Sequence, residues 1–173
     1  MPRKALPPET RDRLLELLDE NIPGVIQEWK EAHGELTLTV DATRIRDVCL
    51  FLREEPGLRF DYLSDLTAVD NLGEEPRFAV VYHLLSTSKK HRVRLRAPVS
   101  GDPPWIHTVS DIWLTANWHE RECWDLFGIV FQDHPDLRRI MLPQDWVGHP
   151  LRRDYETAKD EVYDYLSKPL ADE

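Results

Sequence analysis

Long apolar runs are missing from this 173-residue chain. No run exceeds five residues, the length of Phe78-Ala79-Val80-Val81-Tyr82, far short of the roughly 20 apolar residues that a membrane-crossing helix requires, so no span is expected. The opening Met-Pro-Arg-Lys-Ala-Leu-Pro-Pro lacks the apolar core of a secretory leader, and a cytoplasmic location is expected. Positive charge is in deficit: 22 Lys+Arg stand against 32 Asp+Glu, a formal charge of −10. That balance argues against general affinity for nucleic acid or an anionic membrane surface, because both need clustered cations. Cysteine is scarce. Cys49 and Cys123 lie far apart among apolar residues at helical spacing and read as buried thiols. Two cysteines cannot build an iron–sulfur cluster, which needs about four, nor a zinc site of cysteine. The 7 glycines form neither G-x-G-x-x-G nor G-x-x-x-x-G-K-[ST], the usual phosphate cradles. These absences point away from a self-contained redox enzyme or ATPase.

What is present is 41% hydrophobic sequence, enough for one globular domain or a domain plus an arm. A helix is expected at about 8–20, opened by prolines and carrying Leu14, Leu15, Leu17 and Leu18. Leu36, Leu38 and Val40 alternate with polar residues as in a half-buried strand, with 25–29 as a hairpin partner. Asp41 is placed to cap a helix with Ile45, Val48, Cys49 and Leu52 on one face, ended by Pro56-Gly57. Extended chain runs from Leu58 towards Val69, and Arg77 to Leu85 reads as a strand buried on both faces. In 91–97 an apolar face alternates with Arg92, Arg94 and Arg96, which suits solvent or an acidic partner. A helical pattern from Val109 leads into 117–127, where Gly128 is placed to stop it. The expected fold is α+β, a mostly antiparallel sheet with helices on one face, plus an extended C-terminal arm. The chain divides accordingly into a globular domain at 1–128 and an arm for partner docking at 129–173.

The densest chemistry is Trp118-His119-Glu120-Arg121-Glu122-Cys123-Trp124-Asp125-Leu126-Phe127-Gly128. On a helix, Glu120 falls in the apolar stripe with Ala116, Cys123, Trp124 and Phe127, so its carboxylate needs a partner or a raised pKa. It is either a general acid or base, or the partner of an arginine such as Arg92, Arg94 or Arg96. Glu120 and Glu122 point in different directions, which disfavours a paired-carboxylate site. Arg121 and Asp125 read as an ordinary i, i+4 pair. The histidines in the C-terminal half show no metal-binding spacing. Five of the six tryptophans lie between Trp105 and Trp146. A single small core rarely hosts that many, which favours a binding surface.

At these residues the sequence resembles the 30 kDa (C-type) subunit of respiratory complex I. The resemblance rests on Glu120-Arg121-Glu122, on Asp125-Leu126-Phe127-Gly128, on His134-Pro135 with Arg138-Arg139, and on His149-Pro150-Leu151-Arg152-Arg153-Asp154-Tyr155. It implies a structural subunit in the peripheral arm of a proton-translocating NADH:quinone oxidoreductase, on the cytoplasmic side of the inner (plasma) membrane. Docking would be on the 49 kDa (D-type) subunit, near cluster-bearing subunits B and I, with membrane contact only through the complex. FMN, iron–sulfur clusters, NADH and quinone would belong to partner subunits, with no catalytic, cofactor-binding or metal-binding residue in this chain. The quoted residues would form the partner interface. A related energy-converting hydrogenase or ferredoxin-fed dehydrogenase is the alternative within the resemblance, and a stand-alone hydrolase using Glu120 the alternative outside it.

Overall fold

The computed structural model describes residues 6–156. Helix α1 (Pro8–Asn21) starts at a proline, whose missing N–H costs nothing in a first turn, and buries Leu14, Leu17 and Leu18. A hairpin of β1 (Ile26–Ala32) and β2 (Glu35–Val40) follows. The Asp41 side chain accepts from the Thr43 backbone N–H and so caps a short 3₁₀ turn, Ala42–Arg44; α2 (Ile45–Glu54) then buries Ile45, Val48, Cys49 and Leu52. Strands β3 (Tyr62–Asp70), β4 (Phe78–Ser86) and β5 (His91–Val99) form an antiparallel meander. The five-stranded sheet has the order β1-β2-β5-β4-β3, and β2 against β5 is its one parallel pair. The α+β architecture and the largely antiparallel sheet stand as expected.

The core lies on one face of this sheet. Leu36, Leu38, Leu66, Val80, Tyr82, Leu84, Val93, Leu95 and Ala97 meet the apolar stripes of the three helices there. Cys49 and Cys123 are both buried and free, and burial pushes both thiols up.

A second, two-stranded sheet pairs β6 (Trp105–His107) with β7 (Val130–Gln132) around α3 (Ala116–Phe127). Helix α3 begins at Ala116, later than the pattern from Val109 suggested. Residues 109–115 instead form turns, with Ile112 and Trp113 bonded back to Val109 and the Trp113 indole N–H donating to the Phe60 carbonyl. Gly128 ends α3 in the left-handed conformation at φ +74°. Ile129 and Phe131 enter the core. From His134 to Tyr155 the chain forms turns and extended segments that lie back against α3 and the β3–β4 corner. We call this stretch the strap.

Candidate docking site

Every helix leaves its last carbonyls without partners, and at the end of α3 the Gly128 cap and the strap supply them. The Trp124 carbonyl accepts from Gly128 N–H (2.8 Å). His149 Nδ1–H and an Arg139 Nη1–H donate to the Asp125 carbonyl at 2.9 and 3.3 Å. Leu151 N–H donates to the Leu126 carbonyl (3.0 Å) and Arg152 Nε–H to the Phe127 carbonyl (2.6 Å). Two of these donors are guanidinium groups, the charge favoured at a helix C-terminus. Gly128 is where the strap crosses closest. A Cβ there would lie 2.5 Å from both Arg152 Nη2 and His149 Cδ2.

Asp125 is the hub. Its side chain is fully buried; Oδ1 faces Arg139 Nη1 at 2.5 Å, and Oδ2 accepts the consecutive backbone N–H groups of Ile140, Met141 and Leu142 at 2.8–3.0 Å. Burial alone would raise this carboxyl. The three amides and the guanidinium outweigh it and hold the pKa below the usual carboxylate range. Arg139 also donates to the Trp146 and Gly148 carbonyls and lies over the Trp124 ring. Arg121, expected to pair with Asp125, instead donates to the Arg138 and Arg139 carbonyls. The pairing fails because Asp125 turns inward while Arg121 lies along the strap.

A second clamp fixes the strap's far end. Arg77 donates Nε–H and Nη2–H to Asp70 (2.8 and 2.7 Å) and Nη1–H and Nη2–H to Asp154 (2.8 and 2.6 Å), while Asp70 also accepts Arg153 N–H. The Arg77 guanidinium holds Asp154 at about 2 and lowers Asp70 as well. Asp70 and Arg77 were not among the residues expected at a site. Their only signal in the sequence is opposite charge on the two flanks of the 70–76 turn. Tyr155 O–H closes the strap onto the Val147 carbonyl, and its ring would lie 2.8 Å from a Cβ at Gly148.

Glu120 is fully buried, but its partner is not an arginine. Thr108 O–H donates to Oε2 and Val109 N–H to Oε1 (2.7 Å), and His134 Nε2 lies 3.9 Å from Oε2. Arg92, Arg94 and Arg96 point from the opposite face of the sheet and cannot reach it. Burial raises the carboxyl to about 7. His134 accepts Asp136 N–H at Nδ1 and therefore carries its proton on Nε2, which donates to the Asn117 carbonyl. Burial also lowers the pKa of His134, and likewise that of His149.

The structure thus brings Glu120 to His134, and Asp125 to Arg139, His149 and the carbonyls of Leu126 and Phe127. It leaves Glu122, Pro135, Arg138 and Arg153 at the surface, with Arg138 salt-bridged to Asp136. Met141, Val147 and Leu151 on the strap, and Leu114 and Trp118 at the start of α3, are 52–86% exposed. The strap's polar anchors face inward and much of its apolar surface faces out.

A chain of the sulfane sulfur reductase MBS, an archaeal respiratory membrane complex, has this architecture at a TM-score of 0.68 over 94% of this chain and 95% of that one; at 23% identity the likeness is one of fold. The trypsin-resistant fragment of Nqo5 aligns at a TM-score of 0.60 with 31% identity, over 74% of this chain and 99% of the fragment. The class these two define is an α+β domain with the fold of Nqo5. The family described as respiratory-chain NADH dehydrogenase, 30 Kd subunit, matches residues 38–161, and the chain belongs to it: the family of the 30 kDa subunit of complex I. The C-type subunit of the NADH-quinone oxidoreductase of Geotalea uraniireducens is 53% identical over 138 residues, covering 80% of this chain and 83% of that protein. Its counterpart from Roseiflexus castenholzii is 44% identical over 167 residues, covering 92% and 96%.

Proposed function

We propose that this chain is a non-catalytic assembly subunit in the peripheral arm of a proton-translocating NADH:quinone oxidoreductase, on the cytoplasmic side of the membrane. Electrons pass from NADH to quinone through FMN and iron–sulfur clusters in partner subunits. The strap is its docking element, against the 49 kDa (D-type) subunit and near cluster-bearing subunits B and I.

One observation carries this reading: Asp125, Arg139, Arg152 and Asp154 of the signature are engaged inside the chain, while Met141, Val147, Leu151 and Trp118 stand exposed. Exposed apolar side chains on a braced segment suit a protein interface, since the backbone is already ordered and little entropy is lost on docking. Burial of Glu120 behind Thr108 and Val109 weighs against the hydrolase reading, which needs that carboxylate at a substrate. No helix among the described residues is long and apolar enough to cross a membrane, in keeping with a peripheral place.

The test is a tagged pull-down from gently solubilised membranes of the source organism, with partners identified by mass spectrometry and NADH:quinone activity assayed in the eluate. Flavin- and cluster-bearing chains with that activity are the expected result. A lone monomeric chain would overturn the proposal, and cluster-bearing chains with hydrogenase or ferredoxin-linked activity would select the relatives instead.

A further inference from the structure

The sheet face opposite the core carries a pattern that neither the fold nor the strap uses. Register sets one row across all five strands: Lys30, Thr37, Arg94, His83 and Asp65. Beside it run Glu28, Thr39, Arg96, Val81 and Thr67 on one side, and Arg92, Leu85 and Tyr62 on the other. Three guanidinium groups therefore project from alternate positions of the central strand, roughly 7 Å apart. Arg94 is paired with Glu35. Arg92 and Arg96 have no ion pair or hydrogen bond among the described residues. Next to them Tyr62 and Val69 are 46% and 42% exposed. This face sets Lys30, Arg92, Arg94 and Arg96 against the carboxylates Glu28, Glu35 and Asp65, and its positive charge is concentrated on the central strand beside apolar side chains; on a chain of charge −10 that suits an anionic segment that also has apolar residues.

The chain contains such a segment. Residues 157–173 hold Asp160, Glu161, Asp164, Asp172 and Glu173 against Lys159 and Lys168, and intersperse the acids with Val162, Tyr163, Tyr165 and Leu166. The reach suffices. The strap ends where Arg77 grips Asp154, beside the Phe78 end of β4. From Phe78 to Leu85, which is level with Arg92, is roughly 24 Å of strand, and 17 extended residues span up to about 56 Å. Tethering of this kind gives an effective concentration of order millimolar, so weak contacts are enough.

We propose that the acidic segment 157–173 docks in cis on the outer sheet face, with its carboxylates over Arg92, Arg94 and Arg96. The proposal does not depend on the assembly role. It is tested on the full chain carrying a nitroxide at Leu170→Cys, since Cys49 and Cys123 are buried and unreactive. The expected result is paramagnetic broadening of the amide signals of Val81, Arg94 and Arg96, lost at about 1 M salt, where the screening length falls to roughly 3 Å. Broadening should also be lost in R92E/R96E and return when D160K/E161K/D164K is added. No broadening on this face, broadening indifferent to both salt and charge reversal, or broadening that grows with protein concentration and so comes from a second copy, would each overturn the proposal. The salt titration needs no variant on the face and so stands even where a charge reversal disturbs the fold.

Discussion

Arg139 and Asp125 are fourteen residues apart and meet at 2.5 Å where the strap crosses the last turn of α3, with the carboxylate fully buried and the arginine side chain 10% exposed. Removing the carboxylate leaves three backbone N–H groups and a guanidinium without their acceptor. Asp125→Ala should therefore lower unfolding free energy by about 3–5 kcal/mol, the range for breaking a buried pair from one side. Asp125→Asn, which keeps an acceptor but not the charge, should fall between. Urea denaturation of the isolated chain checks both, and a loss below about 1 kcal/mol in the alanine variant would mean the hub does not hold the strap.

Acid should act through the same carboxylates. Asp125, Asp70 and Asp154 all have folded pKa values below the unfolded ones, so the folded state binds fewer protons and their contribution is present above the unfolded carboxyl value. It is lost as pH falls through the folded values, the lowest being Asp154 at about 2. Stability measured from pH 5 downward should decline, and Arg77→Ala should flatten part of that decline by removing the partner of Asp70 and Asp154.

Glu120 should behave in the opposite sense. Its carboxyl rises from 4.5 to about 7 on folding, so its contribution is complete below the unfolded value and is lost as pH rises through 7. The shift corresponds to a decline on the order of 3 kcal/mol between about pH 4.5 and 7.5. Below 7 the protonated carboxyl can donate to Thr108, whose hydroxyl lies 2.8 Å from Ser110 Oγ. Glu120→Gln, neutral at every pH, should remove the slope and be more stable than the natural chain at pH 8. Thermal unfolding across this range gives the answer, and an unchanged slope in the variant would assign the titration to another group.

Much of the frame was legible because it follows from local rules. The alternation of Leu36, Leu38 and Val40 marks β2, Asp41 marks a cap, and Gly128 marks the end of α3. The site was legible as a set of residues but not as a set of bonds. Periodicity placed Arg121 four residues before Asp125 without showing that Asp125 faces a nest of amides fifteen to seventeen residues downstream. Arginines 138, 139, 152 and 153 looked equivalent as interface anchors, yet Arg139 and Arg152 bind carbonyls of their own chain. Arg77 was all but silent, because its role depends on the strap returning across 77 residues of sequence.

Gly128 offers a test of how the strap is seated. Alanine there must adopt φ +74°, at a cost of roughly 1–2 kcal/mol, and its Cβ would displace Arg152 and His149 from the α3 carbonyls. Gly128→Ala should therefore destabilise the domain and speed tryptic cleavage after Arg152 and Arg153. Gly73 is a control of similar backbone conformation, φ +96°, whose Cβ would meet nothing within 4 Å. Limited proteolysis followed by mass spectrometry should show faster cleavage in the strap for Gly128→Ala and little change for Gly73→Ala.

Substitutions on the strap should separate bracing from docking. Arg139→Ala and Arg152→Ala remove inward bonds and should lower stability before assembly is even measured. Met141→Asp with Val147→Asp alters side chains that are 63% and 84% exposed, so the isolated domain should keep its stability within about 0.5 kcal/mol. If the strap is the docking element, that double variant should fold as the natural chain does and yet recover none of the partner chains in a pull-down, because two carboxylates would be buried against the partner unpaired. Trp118→Ala, on α3 and 67% exposed, asks whether the interface extends onto the helix. Full partner recovery by the Met141 and Val147 variant would move the docking surface elsewhere on the domain. Loss only in the Trp118 variant would centre it on α3.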